Sequence, residues 1–470
     1  MSTPQDEAVA IPTKQFFVNM LTRDIKLEDA ILDLLDNCLD GALRCANGVE
    51  VDYSRHQVEI TLSTDSFSIT DNCGGIPREV ARNYAFKMGR EPGDTRDSDN
   101  ETIGMYGVGM KRAIFKMGRS AIVKSRHGDD TFEVPITTEW LDSQDWDPLP
   151  ITNTTPEQQL QEPGTEIRVH SLFSGVARHF TNSGFLNDLE NSISEHFTMF
   201  LQRGLVVSVN GKKIEPVFVE VLVSEKEDDP APYVFQKEID GVVVSITVGL
   251  NTGRGLAVDD EDSPDFERDR SAATAGWTVF CNDRAVIVGD KSRLTGWGDG
   301  MPLYHYQFSI VTGIVEFRSK SADRLPVTTT KRALDASSDV WLEALVKMKE
   351  GMRIWITYTN NWKNHPRSDQ TVHWKDARPM SLRKTVELVA ARDKASKSDG
   401  SIEFNPVKRK ALPVPETKKP SSRRIIFSRP IEEVREVSKH FFDQENERPG
   451  IVGDKCFETV LKGIREEDDQ

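Results

Sequence analysis

Long apolar runs are missing from this 470-residue chain. No stretch reaches the roughly 18 consecutive apolar residues of a membrane-spanning helix, so no span and no membrane partner is expected. The opening MSTPQDEAVA lacks the basic and apolar regions of a secretory signal. Cysteine is scarce: Cys38, Cys45, Cys73, Cys281 and Cys456 stand apart, with no C-x-x-C pair. That spacing speaks against a structural zinc site or a disulfide framework and for a reducing, cytoplasmic setting. The nine histidines include no H-E-x-x-H pattern, so a catalytic transition metal is not expected. Positive charge is also short. Lys and Arg number 60 against 75 Asp and Glu, a formal net charge of -15. This balance disfavours a broad nucleic-acid-coating surface and leaves room for a local basic patch.

What is present is size and pattern. The length allows two or three domains. The most informative stretch is LEDAILDLLDNCLDGA at 27–42. Read as a helix, Ile31, Leu34, Leu35, Cys38 and Ala42 fall on one buried stripe. Asp33, Asn37 and Asp40 share the opposite face, flanked by Asp29 and Asp36. Only Lys26 and Arg44, at the ends, are at hand to offset them. Like charges at this spacing cost a helix a few tenths of a kcal/mol per pair. The face is either a solvated acidic surface or one that meets a divalent cation with its phosphates. An amide oxygen and carboxylates suit Mg²⁺, which takes few protein ligands.

Residues before 13 read as a mobile tail. Segments 57–62 and 66–70 alternate as a β-hairpin and lead into Asp71-Asn72-Cys73-Gly74-Gly75. Residues 78–86 look helical. Residues 87–102 are polar without periodicity, a length of loop that is functional or disordered inside a domain. Next comes IGMYGVGMK at 103–111, opening a helix. Strands are expected at 120–125, 131–137 and 164–169, the last as GTEIRV. An amphipathic helix is expected at 185–200 and a hairpin with Asn-Gly at its turn in 204–216. A strand-rich unit then spans 217–350, with strands at 217–223, 242–248, 277–281 and 306–316. The acidic run DDEDSPDFERD interrupts it, and a helix at 340–355 ends it. The Pro/Lys/Arg-rich NPVKRKALPVPETKKPSSRR reads as a flexible linker, and 431–465 is helical again.

The acidic-face helix, DNCGG after a hairpin, GMYGVGMK at a helix start and GTEIRV in a strand occur in that order. Together they resemble the GHKL ATPase superfamily of gyrase B, Hsp90, histidine kinases and MutL, over about residues 13–350. The helix looks like the ELxxNxxDA motif, and IGMYGVGMK is similar to the lid motif of Hsp90 and MORC ATPases. The resemblance implies an α+β chain. A GHKL (Bergerat) α/β sandwich with an N-terminal dimerisation segment would occupy 1–216 and a β-rich S5-like transducer domain 217–356. An extension and basic linker would follow at 357–430, then a helical tail at 431–470.

It also implies ATP and Mg²⁺. Asn37 would hold the ion, with Asp40 beside it in the same site. Asp71 would accept from the adenine amino group, with Gly75 giving close approach and Thr165 bonding nearby, unless Thr165 is merely a strand threonine. The backbone of Gly104, Gly107, Val108, Gly109 and Met110 would meet the phosphates. Lys111 either adds charge there or faces solvent. Asp33 stands where Hsp90, MutL and MORC carry the catalytic Glu. Its shorter reach implies slow hydrolysis. Lys331, in LPVTTTKRALD, matches the place of the transducer lysine that reaches the γ-phosphate, or is a surface lysine. Residues 87–102 would be the ATP lid and 13–24 the dimerisation segment of an ATP-gated homodimeric clamp. The clamp would act on DNA or RNA through the basic linker or, in a chaperone-like alternative with little hydrolysis, on a protein client.

Overall fold

The computed structural model describes residues 13–468, apart from 47, 91–99, 105–106, 227–228, 252–274, 329–330, 364, 366–371, 393–399, 410–411 and 416–426. The tail before 13, the acidic run at 259–269 and most of the expected lid lie outside the described residues, as does part of the linker. The chain divides into two compact units, Met1–Pro415 and Glu416–Gln470.

The first unit is an α+β assembly built on two large sheets. In the first, β1 (Gln57–Leu62) and β2 (Ser66–Asp71) form the expected hairpin. Val58, Ile60, Leu62, Phe67 and Ile69 alternate inward to the core. Helix α2 (Leu27–Ala46) sets Ile31, Leu34, Leu35, Cys38 and Ala42 into that same core. Each Val, Leu, Ile or Phe among these side chains, fully buried, contributes about 1.5–3 kcal/mol. The sheet continues with β3 (Gly118–His127), β4 (Asp130–Ile136), β5 (Thr152–Asn153), β6 (Gly164–Leu172), β7 (Val206–Val209) and β8 (Lys212–Lys213). Its order is β5-β4-β3-β6-β2-β1-β7-β8, with β1 and β7 the parallel pair. Asn210 and Gly211, at φ 49° and 77°, make the tight turn between β7 and β8.

Helix α1 (Lys14–Arg23) precedes α2 and is fastened at its start. The Lys14 ammonium lies 3.5 Å from the Trp140 ring centroid and donates to Asp145 O at 3.0 Å. Phe16 and Met20 stay exposed on this helix.

The second sheet is formed by β10 (Tyr233–Ile239), β11 (Val242–Leu250), β12 (Gly276–Cys281), β13 (Arg284–Asp290), β14 (Val311–Arg318) and β16 (Ile402–Phe404), in the order β13-β12-β14-β11-β10-β16. A long helix, Asp339–Trp362, buries Trp341, Met348, Met352 and Trp355 against it. Two short strands, β9 (Val221–Val223) and β15 (Arg378–Met380), pair separately. The structure trims several expected elements. The strand expected at 306–316 begins at Val311, because Tyr306–Phe308 is a 3-10 turn capped by His305. The helix expected at 78–86 is one α-turn, Arg78–Val80, continuing as a π-turn, Ala81–Ala85.

The second unit carries two helices, Ile431–Phe442 and Pro449–Asp468. Asp443, left-handed at φ 55°, ends the first. Phe457, Val460 and Ile464 remain exposed on the second.

Candidate functional site

The acidic face of α2 is not solvated. Asp33, Asp36 and Asp40 are all buried, because side chains from elsewhere in the chain cover them. Arg332 reaches Asp29 at 2.7 Å and Glu28 at 3.1 Å. Arg112 pairs with Asp33, whose other oxygen lies 3.9 Å from Lys331. Asp36 is held between Arg284 Nε at 3.0 Å and Lys331 Nζ at 2.9 Å. Burial pushes the Asp36 carboxyl up, but the two cations prevail and hold it below its ordinary range. Those three carboxylates raise the Lys331 pKa against the opposing effect of burial. Asp40 accepts from the N–H groups of Ile103 and Gly104, both at 2.8 Å. On the same helix, between Asp36 and Asp40, sits Asn37, whose amide nitrogen is buried and has no partner among the described residues.

At the other end of α2, β2 closes on Asp71. Its carboxylate accepts from the Cys73 N–H at 2.8 Å. Burial pushes it up to about 6, while the N–H groups of Cys73 and Thr165 and the Cys38 thiol pull the other way. Gly75 is left-handed at φ 74°, and a Cβ there would meet the Arg126 carbonyl oxygen at 2.0 Å. Thr165, half-buried at the start of β6, stands opposite Ser125 of β3. Gly164 before it is packed so closely that a Cβ would meet Asp71 O at 1.9 Å.

The glycine loop runs along α2 between these ends. Gly104 lies against Asp40, and a Cβ there would be 2.6 Å from the carboxylate. Gly107 is left-handed at φ 63°. Val108 caps the helix Gly109–Met117, whose first residue packs beside Asp33. Met110 packs partly buried on the core. Lys111 is buried and donates to Ala85 O at 2.9 Å and to Gly107 O, so it ties the loop to the segment before it and does not face solvent. Met105 and Tyr106 lie outside the described residues.

The structure therefore brings Asp33, Asn37 and Asp40 beside the glycine loop, and Lys331 to α2. Asp71, Gly75 and Thr165 are gathered where β2, β3 and β6 meet, with the Cys38 thiol of α2 reaching Asp71. Sequence reasoning missed Arg112, Arg284, Ser125 and Gly164. Arg112 carried a signal: so many carboxylates require cations, and an arginine directly follows Lys111. Nothing local marks Arg284.

Among the described residues no group of three or more His, Cys, Asp or Glu side chains is placed to hold a metal ion. No helix among them is long and apolar enough to cross a membrane. Residues 25–166, from just before α2 into β6, match the family of histidine kinase-, DNA gyrase B- and HSP90-like ATPases. No curated protein matches the chain.

Proposed function

We propose that this chain, whose residues 25–166 form a GHKL ATPase domain, binds ATP with Mg²⁺ between α2 and the glycine loop and hydrolyses it slowly. The observation that carries the reading is the row on α2. Its carboxylates face cations or N–H groups, and the Asn37 amide nitrogen among them is buried without a hydrogen-bond partner among the described residues. An unpaired N–H of this kind calls for an acceptor such as a phosphate oxygen, while the Oδ1 of the same amide is the atom that a cation would take. Mg²⁺ fits this donor set, because it keeps most of its waters and takes one or two protein oxygens besides phosphate. Asn37 would hold it, and it would neutralise charge on the phosphates.

Asp71 accepts from the adenine amino group, and Gly75 and Thr165 shape the base pocket. The N–H groups between Gly104 and Met110, at a helix start, face the phosphates. Asp33 takes the proton of the attacking water. Arg112 fixes one of its oxygens and leaves the other toward Lys331. Lys331 answers the γ-phosphate. ATP then favours a closed homodimer joined through α1, where Phe16 and Met20 are exposed.

The client is DNA or RNA, engaged by the basic segment 405–430. The alternative is a protein client, which the net charge of -15 favours. Salt-dependent retardation in a gel, abolished by truncation near residue 400, selects nucleic acid.

Phosphate release tests the enzymatic core. Wild type should release phosphate slowly with Mg²⁺, and Asp33→Ala should lower the rate by roughly 100-fold or more. Asn37→Ala should lose the Mg²⁺ dependence. Wild-type rates in both variants, with or without DNA, would sink the assignment.

A further inference from the structure

The part of the chain that carries the second sheet does more than bring Lys331 to α2. The turn between β12 and β13, Asn282-Asp283-Arg284, has two consecutive non-glycine residues at positive φ, 47° and 68°. Such a backbone is costly for residues with a Cβ and least so for Asn and Asp. It turns three adjacent side chains to three different places. Asn282 Nδ2 donates to Thr102 O at 3.0 Å, the carbonyl just before the two N–H groups that Asp40 holds. Its Oδ1 and Nδ2 also lock onto Ser319, at 3.0 and 2.9 Å, so the amide is fixed from behind. Asp283 joins Arg203 of the first half at 3.0 Å to Arg383 of the second. Arg284 inserts into the core of the first half, stacks 4.1 Å from the Phe197 ring centroid and holds Asp36. Arg318, at the end of β14, adds an ion pair to Glu101, the residue before Thr102.

We propose that this turn is the positioning element of the nucleotide site. Through Asn282, with Arg318 beside it, it fixes Thr102 and Glu101 at the entry to the glycine loop, and through Arg284 it fixes the α2 carboxylate next to Asn37. Asn282 and Arg284 are positioning residues, since they act through Thr102 and Asp36. The inference rests on the ATP reading above. It adds that the triphosphate-specific part of the site is assembled by the second sheet, whereas the adenine end, made by α2, β2 and β6, is independent of it. Loosening the turn should therefore weaken a triphosphate and spare a diphosphate.

The test uses the full chain with two probes, Mg²⁺-ADP and a Mg²⁺-bound non-hydrolysable ATP analogue, measured by calorimetry. Asn282→Gly suits the left-handed backbone and removes only the side chain. It should weaken the analogue roughly five- to tenfold, the size of one or two hydrogen bonds, with ADP affinity unchanged. Arg318→Gln, at a partly exposed position that does not threaten folding, should shift the same ratio in the same direction. Loss of both nucleotides in equal measure, or an unchanged ratio in both variants, overturns the positioning role. Failure of wild type to bind either probe would instead remove the ATP reading itself.

Discussion

At the scale of single residues, the site depends on which carboxylates are ionised. In the proposed binding mode Asp71 must be a carboxylate to accept from the adenine amino group, and burial places its pKa at about 6. Nucleotide affinity should therefore hold above pH 7 and fall as pH drops through about 6, by roughly tenfold per unit once the proton is on. For free-protein stability the sign is opposite. A carboxyl raised in the fold stabilises it below the ordinary carboxylate range, and that contribution is lost as pH rises through about 6. Calorimetry between pH 5 and 8 checks the binding limb, and a flat affinity profile contradicts this role. Asp71 and the glycines could be named as candidates because each sits in a short local motif. The partners of α2 were not. Asp36 meets Arg284 and Lys331 from 248 and 295 residues away, and helical periodicity carries no information about such distances.

At the scale of elements, two glycines separate close packing from phosphate binding. Gly75→Ala forces a left-handed residue against the Arg126 carbonyl and should cost on the order of 1–3 kcal/mol or more of stability. Gly109→Ala places its methyl 3.6 Å from Asp33, an ordinary contact, and should melt like wild type. Comparing the two melting curves decides the matter, and equal destabilisation would contradict it. On α2, Asp36→Ala removes the shared partner of two buried cations. A loss of about 3–5 kcal/mol in urea unfolding is expected. A loss below about 1 kcal/mol would show that the Arg284 and Lys331 pairs carry little of the packing. The hairpins and α2 followed from alternation and the 3.6-residue period. The strand expected from 306 failed at its start, because Tyr306-Gln307-Phe308 looks strand-like in type while the His305 side chain caps a turn there.

At the scale of the whole molecule, the first unit holds both sheets, and the proposed nucleotide region draws on each. Light scattering with the non-hydrolysable analogue should show a monomer becoming a dimer. An unchanged monomer at saturating analogue would count against the clamp and leave the nucleotide site intact. All of this presupposes that a triphosphate lies between the Asn37 amide and the glycine loop, with its base on Asp71. The most direct measurement is calorimetric titration of the Mg²⁺-bound ATP analogue into wild type and Asp71→Asn, each shown folded by its melting curve. Saturable binding to wild type with no detectable heat in the variant is the predicted result. Full-strength binding to Asp71→Asn, or none to wild type, contradicts it.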